Sequence, residues 1–371
     1  MDIVILGGGI AGLAAARQLQ QLGWSPAVYE RDVTRVRHGH GFILLDEGLA
    51  SLTAFGVRDA VAAKGHVLER FELRTDDGRT QLDGPFPGGM GFRRAPFVEA
   101  LEASVPAERL HLGKRVAHIV HDATTRRVQR VDFDDGTSVC ADLFIDAVGR
   151  SSAVRSALHP DAAFAPIRVR ELVSQVHDAE LARSLGSRFL KLQHARGGLA
   201  VGMVPTGADH VVWYLQFDAA RFPFEGTTAA HREAFARALV GGWAEPVTAL
   251  LRGTDFSRSH VWNTQDLDPL SSLHGANVAL IGDAAHPFLP FTSQGVNAAL
   301  ADVQVLGACL ARELGAGCGS LDAGSLERAL TAYSASRLPV VARIAASGRA
   351  LQERFLHPER FDEGAVIPLS V

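Results

Sequence analysis

The chain has 371 residues, 47% of them hydrophobic, and sets 37 Lys plus Arg against 41 Asp plus Glu for a formal net charge of −4. That length buries a sizeable core and suggests two domains or one large one, while so even a balance gives no field for nucleic acid or an anionic membrane. Cys140, Cys309 and Cys318 are scattered and form no CxxC pair, which argues against a disulfide framework and a zinc site.

Ile3 to Leu6 reads as a short buried strand; no basic residue precedes it and glycines interrupt it, so it does not read as a signal peptide. A helix follows over 10–22, with Leu13, Ala16 and Leu19 at helical spacing. Pro26 opens a second strand, AVYE, that ends at Glu30, and after a polar stretch a helix is expected over 47–55. Strands at 69–75 and 79–82 flank Asp76-Asp77-Gly78, a strong hairpin signal. Val116–His121, Val128–Phe133 and Ser138–Cys140 suggest a meander with Asp134-Asp135-Gly136 as its second turn, and Leu143–Val148 is another buried strand closing on Gly149.

Between about 168 and 217 the texture changes to alternating segments, including Phe189–Gln193, Leu199–Val204 and Val211–Phe217, read as antiparallel strands. Helical stretches at 228–240 and 244–252 precede a fully apolar strand, Asn277–Ile281. Long helices are expected from about 295 to 313 and from 325 to 356. No uninterrupted apolar run reaches the roughly 18 residues of a membrane span, and a cytoplasmic protein is expected.

Gly7-Gly8-Gly9-Ile10-Ala11-Gly12 satisfies GxGxxG at Gly7, Gly9 and Gly12. Chance matches are easy in a chain with 37 glycines, but here a strand precedes the motif, a helix follows, and a second strand ends in an acid. Gly7 permits the tight turn, Gly9 lets the backbone approach a pyrophosphate, and Gly12 lets helix and strand pack closely. The helix N-terminus offers unpaired N–H groups and a partial positive charge to phosphates. Glu30, eighteen positions after Gly12, is placed to accept hydrogen bonds from ribose hydroxyls and disfavours a 2′-phosphate. This segment alone leaves FAD and NAD both open.

A second constellation lies near the other end: Gly282-Asp283-Ala284-Ala285-His286, then Pro290, then Gln294-Gly295-Val296-Asn297. With it the chain resembles the p-hydroxybenzoate hydroxylase-like (group A) family of FAD-dependent monooxygenases. The resemblance runs from residue 1 to about 340 and includes Arg94-Ala95-Pro96-Phe97 and the Tyr333, Arg337, Pro339 pattern. It implies FAD bound by Gly7, Gly9, Ala11, Gly12, Glu30, Arg31, Arg94, Val116, Gly149, Asp283, Gly295, Val296 and Asn297. It further implies a substrate-side loop at Pro290 and Phe291, and structural roles for His286 and the Tyr333–Pro339 pattern. An aspartate usual in this family's motif is replaced by Val148, which leaves nicotinamide handling open; Asp146 would substitute only with a changed backbone register. Ser293 stands where a glycine is common.

The implied fold is α/β: a Rossmann-type FAD-binding domain interleaved with an α+β substrate domain on an antiparallel or mixed sheet, followed by long C-terminal helices. The expected boundaries are 1–67, 94–167 and 272–371 for the FAD-binding domain and 68–93 and 168–271 for the substrate domain. The implied reaction is insertion of one atom of O₂ into an aromatic or other electron-rich small molecule through a C4a-hydroperoxyflavin, with NAD(P)H as transient reductant. The alternatives are an oxidase or halogenase-like enzyme that does not use NAD(P)H directly, or a non-catalytic FAD-binding protein. No general base is singled out among His177, His194, His210 and Tyr214. The pair His38 and His40 lacks a third ligand for a metal. With no obvious arginine cluster, a neutral, largely apolar aromatic is the expected substrate, and a monomer or homodimer the expected state.

Overall fold

The computed structural model describes residues 1–33, 40–315 and 323–361; His38, Gly39 and Cys318 lie outside them. The N-terminal strand Ile3–Leu6 sits at the centre of a five-stranded parallel sheet. On one side it pairs with Leu143–Asp146 and then Val278–Leu280, on the other with Ala27–Glu30 and then Leu110–Leu112. Burial on both faces explains why Ile3, Val4, Ile5 and Leu6 form a continuous apolar run with no alternation. The helix Ile10–Gln21 covers one face and packs on the helix Gly295–Leu314.

A seven-stranded mixed sheet forms the second layer, in the order His260–Thr264, Val169–His177, His210–Asp218, Leu199–Pro205, Arg188–Gln193, Arg70–Thr75, Thr80–Pro85. Every pairing is antiparallel except Arg188–Gln193 with Arg70–Thr75. One face is apolar: Leu172, Leu190, Leu192, Val201, Met203, Trp213 and Leu215 pack beneath the helices Ala229–Val240 and Val247–Gly253. The alternate residues face the other way, toward the dinucleotide-type sheet.

The two expected turns form as read. Gly78 (φ +91°) and Gly136 (φ +81°) take the left-handed conformation, and each N–H donates back across its turn, to Thr75 O and Phe133 O. A three-stranded sheet that periodicity does not suggest joins Gly41–Leu45, Gly89–Arg93 and Gly65–Val67. Its middle strand falls within the 68–93 segment assigned to the substrate domain, yet both its partners lie in the 1–67 segment. Glycine is needed there by close backbone approach: a Cβ on Gly41 would stand 2.2 Å from Phe92 O, and one on Gly91 2.4 Å from Pro205 O. Among the described residues no helix is long and apolar enough to cross a membrane.

Candidate active site

The turn from Leu6 into the first helix is built as the motif requires. Gly7 has φ +102°, and a Cβ there would meet Ala147 O at 2.4 Å; a Cβ on Gly12 would meet Gly7 O at 1.8 Å. Gly9 differs, since a Cβ added to it meets nothing within 4 Å and would project into open space. The same holds for Gly149 and Gly295. All three border one cavity of about 2020 Å³, well beyond the roughly 300–1,000 Å³ of a typical small-molecule site.

Of the candidate FAD contacts, Gly7, Gly9, Ala11, Glu30, Arg31, Arg94, Val116, Gly149, Asp283, Gly295 and Val296 border this cavity. Gly12 and Asn297 do not. Gly12 lies behind the turn, and Asn297 is buried with its amide holding backbone together: Leu45 N donates to its Oδ1 at 2.9 Å, and its Nδ2 donates to Ser293 O at 2.8 Å. Glu30 accepts from Gly8 N at 2.6 Å and from Asp32 N at 2.9 Å, and each carboxylate oxygen retains a lone pair for a further donor.

Ser293 has φ +54° and ψ +22°, which explains why glycine is common at this position. Its carbonyl is the one that Asn297 grips, so the helix Gly295–Leu314 holds the strained residue in place. That helix begins at the cavity edge with Gly295 and Val296, whose N–H groups have no intrahelical acceptor. They form a fixed positive end that suits an anionic group in the cavity.

Asp146 is fully buried at its strand end, where its carboxylate accepts from Val148 N at 3.2 Å and from the Ser152 hydroxyl. Burial pushes it up to about 6 against these bonds. Asp146 and Val148 both border the cavity, and the carboxylate of Asp146 is engaged in holding the turn from Asp146 to Ser152. His286 is structural: its Nε2 lies 2.6 Å from Asp302 Oδ2, and Arg337 Nε donates to Asp302 Oδ1 at 2.7 Å. Tyr333 donates to Leu280 O at 2.7 Å, so the C-terminal pattern clamps the Gly282–His286 turn between two helices.

Pro290 and Phe291 border the cavity as well. Of the four residues weighed as a base, only Tyr214 borders it. Burial, reinforced by Glu171, pushes that phenol far above its ordinary range, so it stays protonated. His177 and His210 pair across strand ends outside the cavity, both hydrogen-bonded to Asp209 at 2.7 and 2.6 Å; with it they gather three metal-ligating atoms within 4.8 Å.

Sequence reasoning missed a polar cluster on the cavity face of the large sheet. Glu171 accepts from Gln216 Nε2 at 2.6 Å and from Trp262 Nε1 at 3.1 Å, and Lys191 Nζ donates to Gln216 Oε1 at 3.1 Å. Burial raises Glu171 to about 7 and lowers Lys191 to about 8. The signal was one charged or amide residue on the alternate face of each of three apolar strands, Glu171, Lys191 and Gln216, but a solvent-facing sheet surface gives the same pattern.

A glycine-turn parallel sheet is thus joined across one cavity to a large mixed sheet. The sequence profile of an FAD binding domain matches residues 1–347. The 3-amino-4-hydroxybenzoate 2-monooxygenase of Streptomyces cremeus is 31% identical, covering 96% of this chain and 88% of its own length. The 6-methylsalicylate 1-monooxygenase of Aspergillus terreus is 27% identical over 98% of this chain and 85% of its own. The structure of HpxO from Klebsiella pneumoniae complexed with FAD and uric acid superposes with a TM-score of 0.83 at 24% identity, covering 100% of this chain and 90% of that one, a likeness of fold. The chain belongs to the phenol/p-hydroxybenzoate hydroxylase-like family of FAD-dependent monooxygenases. It is an FAD-dependent enzyme of the monooxygenase class.

Proposed function

We propose that this enzyme hydroxylates a small, electron-rich aromatic compound, with NAD(P)H as the source of reducing equivalents. The observation that carries the reading is the single cavity running from the Gly7–Gly12 turn, past Pro290, to the polar face of the large sheet. Two relatives named for 3-amino-4-hydroxybenzoate and 6-methylsalicylate, both aromatic, support the substrate class. In this reading residues 1–67, 94–167 and 272–371 serve the flavin, and 68–93 and 168–271 serve the substrate. Cys140 and Cys309 are free thiols, in keeping with a reducing, cytoplasmic setting.

FAD, when bound, supplies the activation of O₂ and the oxygen transfer. The chain's own groups do the positioning. Gly9 and the first helix receive the pyrophosphate, Glu30 the ribose, and Asp283, at the end of its strand, the ribityl hydroxyls. The N–H groups of Gly295 and Val296 would stabilise negative charge on a bound flavin. Phe288, Leu289 and Phe291 line the cavity with apolar surface and would limit the access of water to the reaction.

The test is a screen of substrate-stimulated NADH and NADPH oxidation across a panel of aromatics, with product mass measured. The expected outcome is a product heavier by one oxygen whose formation consumes one nicotinamide. Val148 in the carboxylate's place favours a second reading, in which a separate reductase supplies the electrons. In that case no aromatic accelerates flavin reduction by either nicotinamide, while chemically reduced enzyme still forms the product in air.

A further inference from the structure

We propose that Lys191 is a specificity-determining residue that binds the carboxylate of an aromatic acid, and that Glu171, acting through Gln216, is the residue that positions it and keeps it charged. The proposal deepens the functional reading above and rests on it.

Three features of the sheet place the ammonium where a substrate must lie. Lys191 pairs in register with Gly202, which pairs in turn with Tyr214. A Cβ on Gly202 would stand 2.1 Å from the Tyr214 ring, so the absence of a side chain lets Tyr214 lie across that strand. Ala200, one row on, is likewise small and lies between Gln193 and Gln216 in register. The low ground over this strand lets Lys191 reach Gln216 two strands away.

The ammonium then stands 6.0 Å from the ring centre of Phe291 and 5.8 Å from that of Phe355. Phe291 belongs to the Pro290 turn, so Lys191 is held between the substrate sheet and the loop on the flavin side. Aromatic faces steady a cation without neutralising it.

The hydrogen-bond inventory shows what is left over. Glu171 has one oxygen on Gln216 and the other on Trp262, so its charge is turned toward the sheet. Lys191 has three N–H donors, of which Gln216 takes one. Two donors therefore remain for a ligand at a half-buried ammonium on the cavity wall, where a carboxylate partner makes charge-assisted hydrogen bonds. A phenol fits less well as the anionic partner, since its ordinary pKa near 10 leaves it neutral at physiological pH. The expectation of a neutral substrate, based on the lack of an arginine cluster, is replaced by that of an aromatic acid.

Glu171 and Tyr214 flank Lys191 on the sheet, Arg79 and Arg196 border the same cavity from the hairpin and from the loop after its own strand, and Arg354 and Glu359 border it from the C-terminal helix and the turn that follows. The loop from Phe288 to Ser293 brings no ionisable side chain, and the neighbouring strand turns Phe71, Leu73 and Thr75 inward. Lys191 loses its proton as pH rises through about 8, and Glu171 works to hold that value up.

The experiment uses the FAD-loaded full chain and reads the flavin absorbance band and calorimetry during titration with benzoate and with its neutral isostere benzamide. Benzoate should bind about tenfold or more tighter than benzamide near pH 7, and that preference should fade as pH rises past about 8. Lys191→Met should abolish the preference with flavin content unchanged, Lys191→Arg should retain it to higher pH, and Glu171→Gln should move the falling limb to lower pH. Equal affinity for the two probes, no binding of benzoate, or a preference that survives Lys191→Met overturns the assignment of Lys191. A limb unmoved by Glu171→Gln overturns the part given to Glu171. A chain that stays colourless with excess FAD defeats the functional reading itself, an outcome visible before any benzoate is added.

Discussion

Glycines in one motif carry unlike burdens, and two single-atom changes separate them. A methyl at Gly9 meets nothing within 4 Å in the protein, and the residue's φ of −77° suits any side chain. Gly9→Ala should therefore change stability by less than about 1 kcal/mol while weakening FAD binding tenfold or more, because the methyl occupies pyrophosphate space. A methyl at Gly12 would lie 1.8 Å from Gly7 O, so Gly12→Ala should lose both FAD and about 1–3 kcal/mol or more of stability. Urea unfolding of the apoproteins, set beside FAD titration, measures both quantities. Similar flavin affinity in Gly9→Ala and wild type would remove the pyrophosphate from that spot. These roles were legible in the sequence because a fixed spacing of residue types encodes them. Those of Glu171, Lys191 and Gln216 were not, since they arise from three strands that only pairing brings together.

Among the elements, the junction of the two long helices with the Gly282–His286 turn depends on one carboxylate. Asp302 is fully buried and receives Gly282 N, His286 Nε2 and Arg337 Nε. Burial works to raise its pKa, but the charges and hydrogen bonds of His286 and Arg337 outweigh it and the net shift is downward. A depressed carboxylate adds stability that is complete above its unfolded value of about 3.8 and is lost as pH falls through the lower folded value. Asp302→Asn leaves Arg337 buried without its counter-charge and should cost about 3–5 kcal/mol at pH 7. The gap from wild type should narrow as the medium is acidified below pH 4. Urea denaturation at a series of pH values tests this, and a gap that stays constant would place the effect in packing.

At the scale of the whole molecule, the small glycine-rich sheet is the seam between the two large ones. Gly91 lies against Pro205 O, leaving 2.4 Å for a Cβ that is not there. Gly91→Val should push the large sheet away from the Pro290 loop. The expected result is retained FAD, loss of aromatic-ligand binding of roughly tenfold or more, and stability lower by about 1–3 kcal/mol; parallel flavin and ligand titrations measure it, and unchanged ligand affinity would show that the seam does not set cavity width. The strands of this seam were illegible because Gly41, Gly89 and Gly91 read locally as breakers, though each is needed where backbones touch. Most of the parallel sheet, by contrast, was legible, since burial on both faces writes unbroken apolar runs in its central strands; the edge strand Leu110–Leu112, short and half-buried, was not.

The one parallel pairing in the seven-stranded sheet bears on the birth of the protein. Arg70–Thr75 leaves the ribosome joined to Thr80–Pro85 as a hairpin, but its other neighbour, Arg188–Gln193, is made only after on the order of a hundred further residues. At 5–20 residues per second, that interval lasts on the order of 10 s. Throughout it, the nascent hairpin presents an unsatisfied edge and the side chains of Phe71 and Leu73 to the crowded cell. This stretch is where a holding chaperone would grip and where overexpression would first seed aggregates.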